Sequence, residues 1–335
     1  MKIAFFSTKS YDRTHFEAEV AETDHEITFF EDALTMHTAT LVTGFDAVCI
    51  FVNNPLDKPL IEKISDLGVE VVALRSAGFN HVDLEACRKH GLTVYRVPAY
   101  SPEAVAEHTL ALILTLNRKT HKAYNRVREN NYSLEGLAGF NVHGKTVGVI
   151  GTGTIGAAFC KIMTGFDCNI IAFDPNINEE VEAMGVSYVD FDELVKQSDI
   201  ISLHCPLIPQ TRHIIDRESI EKMKDSVMII NTSRGALIDT AAVIDGLKQK
   251  KVGFLGIDVY EQEDNLFFKD LSAEVIQDDV ITRLMAFPNV LITGHQAFLT
   301  EEALQQITET TIKNLSDYEA GNRSDNELTA EKTLS

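Results

Sequence analysis

Short runs of β-branched and aliphatic residues recur along most of the chain, separated by longer amphipathic stretches. This alternation limits the possible folds more than any other feature. The runs are KIAFF (2–6), AVCIFV (47–52), VEVVAL (69–74) and LTVYRV (92–97), then TVGVI (146–150), NIIAF (169–173), DIISL (199–203), VMII (227–230), GFLGIDV (253–259) and NVLIT (289–293). Helical patterns lie between them, as at 59–67, 83–90, 155–165, 217–224 and 240–249. Strands that are apolar on both faces and alternate with helices build parallel sheets covered on both sides, an α/β architecture. A chain of 335 residues is longer than one core usually supports, so two such domains are expected.

Several function classes drop out early. A formal net charge of −20 argues against nucleic acid, because neutralising phosphates needs clustered Lys and Arg. The cysteines, Cys49, Cys87, Cys160, Cys168 and Cys205, are odd in number and lack CxxC spacing, so neither a disulfide framework nor a metal site is expected. The opening MKIAFFSTKSYD lacks the apolar core of a signal peptide. TLALILTL (109–116) is far shorter than the roughly 20 residues that span a bilayer. A cytoplasmic protein without a membrane partner is expected.

Residues 101–129 interrupt the alternation. They open with Ser-Pro-Glu, a good helix start, and predict one helix of about seven turns. Its apolar positions Val105, Leu110, Leu112, Ile113, Leu114 and Leu116 cover more than one face. One face could meet a second copy in a homodimer; a helix packed wholly within its own domain fits the pattern equally well. Whether dimers pair further stays open. The closing GNRSDNELTAEKTLS (321–335) is polar and aperiodic and reads as a loose tail.

KTVGVIGTGTIGAAFCKI places Gly151, Gly153 and Gly156 in G-x-G-x-x-G spacing between a strand and a helix. The first glycine makes the tight turn and the second lets the backbone approach a pyrophosphate. The third lets helix and strand pack closely, with the anion on the helix N-terminus. Eighteen residues after Gly156 the next strand ends at Asp174. A carboxylate there accepts from both ribose hydroxyls and repels a 2′-phosphate, which points to NAD rather than NADP.

Ligands of doubly wound sheets bind outside the carboxyl ends of the strands. HCPL (204–207) follows DIISL, and NTSRGALID (231–239) follows VMII, with Arg234 beside Gly235. Asp258, Glu261 and Glu263 follow GFLGI, and His295 follows NVLIT and the turn glycine Gly294. A guanidinium, a carboxylate and an imidazole on the edge that carries a nicotinamide are what reduction of a 2-oxo acid requires. The arginine binds the substrate carboxylate in two-pronged fashion. The histidine donates the proton, and a carboxylate orients it and favours its charged form.

The stretches ALRSAGFNHVDL, VPAYSPEAVAEHTLALILTLNR, VGVIGTGTIG, SDIISLHCPL, MIINTSRGALID, GIDVYEQE and TGHQAFLT occur in this order along the chain. Through them it resembles the D-isomer-specific 2-hydroxyacid dehydrogenases over essentially its whole length. The resemblance implies an NAD-binding Rossmann domain, residues 101–297, inserted into a flavodoxin-like substrate domain made of 1–100 and 298–335, with the active site in the cleft between them. It implies Arg234, Glu263 and His295 as catalytic residues. For NAD it implies Gly151, Gly153, Thr154, Ile155, Gly156, Asp174, Cys205, Pro206, Thr211, Thr232, Ser233 and Arg234, with Asp258 near the carboxamide. For the substrate it implies the backbone of Ala77 and Gly78, with Phe51, Tyr100 and Phe298 crowding the side chain beside Arg234 and His295. EDNLFFKDLSAEVIQDD, from Glu263 onward, resembles the D-lactate branch, which implies pyruvate and D-lactate as the substrate pair. A bulkier 2-oxo acid is the alternative, and an NAD-sensing corepressor of the same fold a more distant one.

Overall fold

In a computed structural model of the chain, residues 1–263 and 266–329 are described; Asp264 and Asn265 of the segment after Glu263, and 330–335 of the tail, lie outside. The chain divides into two compact units, one of Met1–Ser101 with Leu299–Ser335 and one of Pro102–Phe298. Each is a parallel sheet with helices on both faces.

The first unit holds β1 (Lys2–Phe5), α1 (Ser10–Val20), β2 (Glu26–Phe29), β3 (Ala47–Ile50), α2 (Lys58–Asp66), β4 (Val71–Leu74), α3 (Leu84–Lys89) and β5 (Thr93–Tyr95). Its sheet order β2-β1-β3-β4-β5 is that of flavodoxin-like domains. Every residue of β3 and β4 is buried, as expected for inner strands covered on both sides. Ile61, Ile64 and Ala86 of α2 and α3 pack on one face. Phe16 of α1, with Ile312 and Leu315 of the last helix, packs on the other.

The polar tail is ordered as far as it is described. Leu328 is buried and its N–H donates to Val94 O at 2.8 Å. Glu327 bridges Tyr95 in antiparallel fashion, and Arg96 N–H donates to Asn326 O. The segment therefore covers the open edge of β5, which explains its order despite its polarity.

The second unit contains α4 (Pro102–Arg118), α5 (Thr120–Arg128), β6 (Thr146–Ile150), α6 (Thr154–Thr164), β7 (Asn169–Phe173), α7 (Glu179–Ala183), β8 (Ser187–Tyr188), α8 (Phe191–Gln197) and β9 (Ile200–Leu203). It continues with α9 (Arg217–Lys222), β10 (Val227–Asn231), α10 (Thr240–Lys248), β11 (Val252–Ile257), α11 (Asp279–Met285) and β12 (Val290–Ile292). The sheet order is β12-β11-β10-β9-β6-β7-β8, doubly wound, with the reversal between β6 and β9. α4 and α6 cover one face of the sheet; α8 to α11 cover the other. α12 (Glu301–Glu319) returns the chain to the first unit.

The expected single helix over 101–129 is two helices. Lys119 takes a left-handed φ of 52° between α4 and α5. The cause is tertiary. Buried Asn117 donates from Nδ2 to Phe140 O and accepts Phe140 N–H at Oδ1, so the returning strand of chain claims the helix end. Lys119 Nζ then donates to the carbonyls of Gly136 and Ala138.

If the 326–328 segment is part of the fold, Leu328→Ala should cost about 2 kcal/mol of stability. Urea unfolding followed by circular dichroism, apt for a chain without tryptophan, checks this. An unshifted midpoint would mean that the segment is decoration.

Candidate active site

The loop after β6 carries the glycine fingerprint, and each glycine meets a different constraint. Gly151 has φ of 95°, and a Cβ there would lie 2.6 Å from Cys205 N. A Cβ on Gly156 would lie 2.0 Å from Gly151 O, so the start of α6 packs on the loop only with glycine. A Cβ on Gly153 would meet nothing within 4 Å. Two glycines are thus enforced by packing, while the third faces open space at a helix N-terminus, where a diphosphate fits. Thr154 is exposed and Ile155 half-buried beside it.

Asp174, just past β7, takes Thr152 N–H on Oδ2 at 2.7 Å and Asn176 N–H on Oδ1 at 2.9 Å. A carboxylate has about four acceptor positions, so the same oxygens can serve ribose hydroxyls. Cys205 O accepts from Ser233 Oγ, Thr211 Oγ1 donates to Pro206 O, and Thr232 Oγ1 pairs with Thr109 Oγ1. The loops after β9 and β10 are therefore tied to each other.

His204 lies behind the fingerprint, its ring 5.0 Å from that of Phe159 on α6 and its Nε2 on Ser202 Oγ at 2.8 Å. The residue is only partly shielded as a whole, but its Nδ1 is enclosed. Burial pushes the imidazole down to about 3, so it stays neutral.

β10, β11 and β12 are neighbours in the sheet, so their carboxyl ends bring Arg234, the acids after 257 and His295 to one edge. His295 Nδ1 lies 2.8 Å from Glu263 Oε1, while Glu263 Oε2 accepts Tyr260 N–H at 2.9 Å. Both carboxylate oxygens are thereby fixed, and the imidazole is held through Nδ1, with no hydrogen bond to Nε2 among the described residues. Glu261 is assigned elsewhere. Its Oε1 takes His213 Nε2 at 2.8 Å and Arg212 Nη2 at 3.3 Å, and Thr240 Oγ1 faces its Oε2. Arg234 is half-buried, with Nη1 on Ser233 O and its own carbonyl on Asn231 Nδ2. Gly235 follows because a Cβ would strike the Tyr260 carbonyl carbon at 2.1 Å.

Asp258 is fully buried. Its Oδ1 accepts from Thr293 Oγ1 at 2.5 Å and Gln296 N–H at 2.9 Å, its Oδ2 from Ala297 N–H at 2.8 Å, and its carbonyl from His295 N–H at 2.7 Å. Burial pushes the carboxyl up, but hydrogen bonds from His108, Thr293 and the two backbone N–H groups outweigh it and hold the group below the usual carboxylate range. The carboxylate is thus turned into the 293–297 loop. The left-handed residue of that loop is His295 itself, at φ 55°, and not the expected turn glycine Gly294.

Sequence reasoning passed over His108 and Phe268. His108 Nε2, on α4, lies 3.1 Å from Thr293 Oγ1 and 3.5 Å from Asp258 Oδ1. Its only signal was a histidine beside Glu107 and Thr109, ahead of the apolar run 110–116. Phe268 stacks obliquely on His295, with centroids 5.6 Å apart. In the first unit, Phe51 lies over the buried Arg75 guanidinium at 5.2 Å. Ala77 O accepts from Arg96, Gly78 O accepts from Ser76 Oγ, and Tyr100 is half-buried. Phe298, in the second unit, is largely buried.

Residues 110–297 match the family described as D-isomer specific 2-hydroxyacid dehydrogenase, NAD binding domain. The chain is 56% identical over 321 residues to a 2-hydroxyacid dehydrogenase homolog of Haemophilus influenzae, covering 96% of this chain and 97% of that one. It is 53% identical over 328 residues to D-lactate dehydrogenase of Escherichia coli, covering 98% and 100%. Its fold is similar to the solved structure of the pyruvate reductase of Chlamydomonas reinhardtii, at a TM-score of 0.94 and 46% identity over 97% and 98% of the two chains.

The neutral His204 gives a pH signature. An unfolded chain takes up this proton near 6.5, the folded protein only near 3, so the stability contribution is whole above 6.5 and is lost as pH falls toward 3. In His204→Asn, the melting temperature should fall less steeply between about pH 6 and 4 than in the parent. Parallel slopes would show that the ring takes up no differential proton.

Proposed function

The chain belongs to the D-isomer-specific 2-hydroxyacid dehydrogenases, and from that premise we propose an NAD-dependent D-lactate dehydrogenase that reduces pyruvate reversibly to D-lactate. The 2.8 Å pairing of His295 with a carboxylate anchored on both oxygens is the observation that carries the mechanism. Bound NADH is the source of the hydride. His295 delivers the proton to the carbonyl oxygen from Nε2, the nitrogen that Glu263 leaves open, and takes it back during oxidation. Arg234 pairs with the substrate carboxylate through its fork of N–H groups and polarises the carbonyl. Asp258 positions His295 by fixing the loop around it, besides any contact with the carboxamide.

Gly151, Gly153, Thr154, Ile155 and Gly156 are proposed to hold the diphosphate and Asp174 the adenosine ribose. Cys205, Pro206, Thr211, Thr232 and Ser233 are proposed to line the remainder of the cofactor. Ala77 and Gly78 offer backbone N–H groups for the substrate carboxylate, and Phe51, Tyr100 and Phe298 restrict its side chain to about a methyl group. The D-lactate dehydrogenase and pyruvate reductase named among the relatives support this choice of substrate.

Among the described residues no helix is long and apolar enough to cross a membrane, and we place the enzyme in the cytoplasm. We infer a two-fold homodimer as well. Tyr124 and Val127 on α5, with Tyr132 and Leu134 just beyond, expose large apolar side chains on one stretch of the second unit.

Purified protein should oxidise NADH with pyruvate faster than with longer 2-oxo acids, giving D-lactate on chiral analysis. His295→Gln should lose about 10²–10⁴-fold in turnover while still binding NADH. L-lactate as product, or full turnover in the variant, would sink the reading. Light scattering at micromolar concentration should give twice the 37.2 kDa chain mass; a monomer would refute the dimer.

A further inference from the structure

The segment after Glu263 has no part in the mechanism above, yet it is built around the catalytic pair. The Glu263 carbonyl accepts N–H groups from both Leu266 and Phe267 at 2.9 Å, which ties these residues to the acid. Phe267 points inward and joins the core with Ile281 and Leu284. Phe268, next in the chain, has a left-handed φ of 64°. Bulky aromatic residues seldom adopt that conformation, because Cβ crowds the backbone, and it persists only where the surroundings enforce it. Its consequence is placement. With Phe267 fixed inward, the left-handed turn sends the Phe268 ring onto His295, centroid to centroid 5.6 Å and tilted by 39°.

We propose that Phe268 is a positioning residue for the proton donor, its ring closing one face of the His295 imidazole so that Nε2 stays directed at the substrate. The covalent link through Cβ and the hydrogen bond from Nδ1 to Glu263 hold one edge of the imidazole, and the remaining freedom is a tilt of the ring about that edge, which swings Nε2. A flat apolar wall against the face removes that freedom and keeps water from the same side. Phe268 directly follows Phe267, whose N–H is bound to the Glu263 carbonyl, so the acid that orients the imidazole and the wall that limits its tilt are set together. The inference rests on His295 as the proton donor.

The test uses the full-length enzyme with Phe268→Ala, Phe268→Gly, Phe268→Tyr and, as a separate control, His295→Gln. Ala removes the ring and keeps the strained backbone; Gly removes the ring and relieves the strain; Tyr keeps the wall. Ala and Gly should each lower kcat for pyruvate by on the order of 10- to 100-fold, the cost of a slightly misdirected catalytic group. KM for NADH should be unchanged, and Tyr should restore most of the turnover. Gly should melt no lower than Ala, which separates the loss of kcat from a loss of stability. Wild-type kcat in Ala and Gly would overturn the proposal, as would a rise in KM for NADH matching the fall in kcat, or a Tyr variant no better than Ala. If His295→Gln keeps its turnover, the proton-donor reading itself has failed. If His295→Gln is inactive while Phe268→Ala is fully active, only the role of Phe268 is lost.

Discussion

A carboxylate with no solvent contact sits at the end of β11, and the catalytic edge is organised around its need for partners. An ionised group out of water is costly unless its lone pairs are filled. Asp258 fills them from Thr293, Gln296 and Ala297, and its carbonyl takes the N–H of His295. The loop after β12 can satisfy that demand only by wrapping around the end of β11. His295 is thereby carried to the side where Glu263 waits, and the proposed proton donor is placed by the solvation requirement of a neighbour.

Strained backbone occurs at the same edge. His295, Phe268 and His213 all have left-handed backbones although none is glycine. Each has a specific contact: His295 with Asp258 and Glu263, Phe268 with the His295 ring, His213 with Ala236 O and Glu261. Such conformations survive only where the surroundings over-determine them. Glu261 ties the loop after β9 to the acid-bearing loop, and Gly235 lets the arginine loop lie directly on Tyr260. Three strand ends form one locked surface.

Inner strands were legible in the sequence because both their faces are apolar, and the buried residues of β3, β4, β9 and β10 left little ambiguity. β2 and β8 were not. Both lie at sheet edges; β2 alternates between exposed and half-buried residues, and β8 has only two residues. The break at Lys119 was invisible because the residues that cause it arrive from 136–140, beyond any local window. The tail misled for a related reason: its order comes from an unpaired strand edge and not from its own composition. At the site, residue type and strand-end position named Arg234 and His295 and narrowed the acid to three. Strand-end position did not separate Glu261 from Glu263; the family resemblance chose Glu263, and the structure pairs Glu263 with His295 and Glu261 with His213.

The discontinuous first unit has a consequence for the growing chain on the ribosome. After about a hundred residues all five strands of its sheet exist, yet one apolar face still lacks Ile312 and Leu315 of α12, and the open edge of β5 still lacks 326–328. The second unit is contiguous and can close as soon as it has emerged, whereas the first must wait for α12 and residues 326–328. During that interval its uncovered face and edge are the sticky surfaces of the nascent polypeptide, and they are where chaperones would have to act. Premature termination within α12 would therefore leave a formed nucleotide-binding unit attached to a sheet that aggregates.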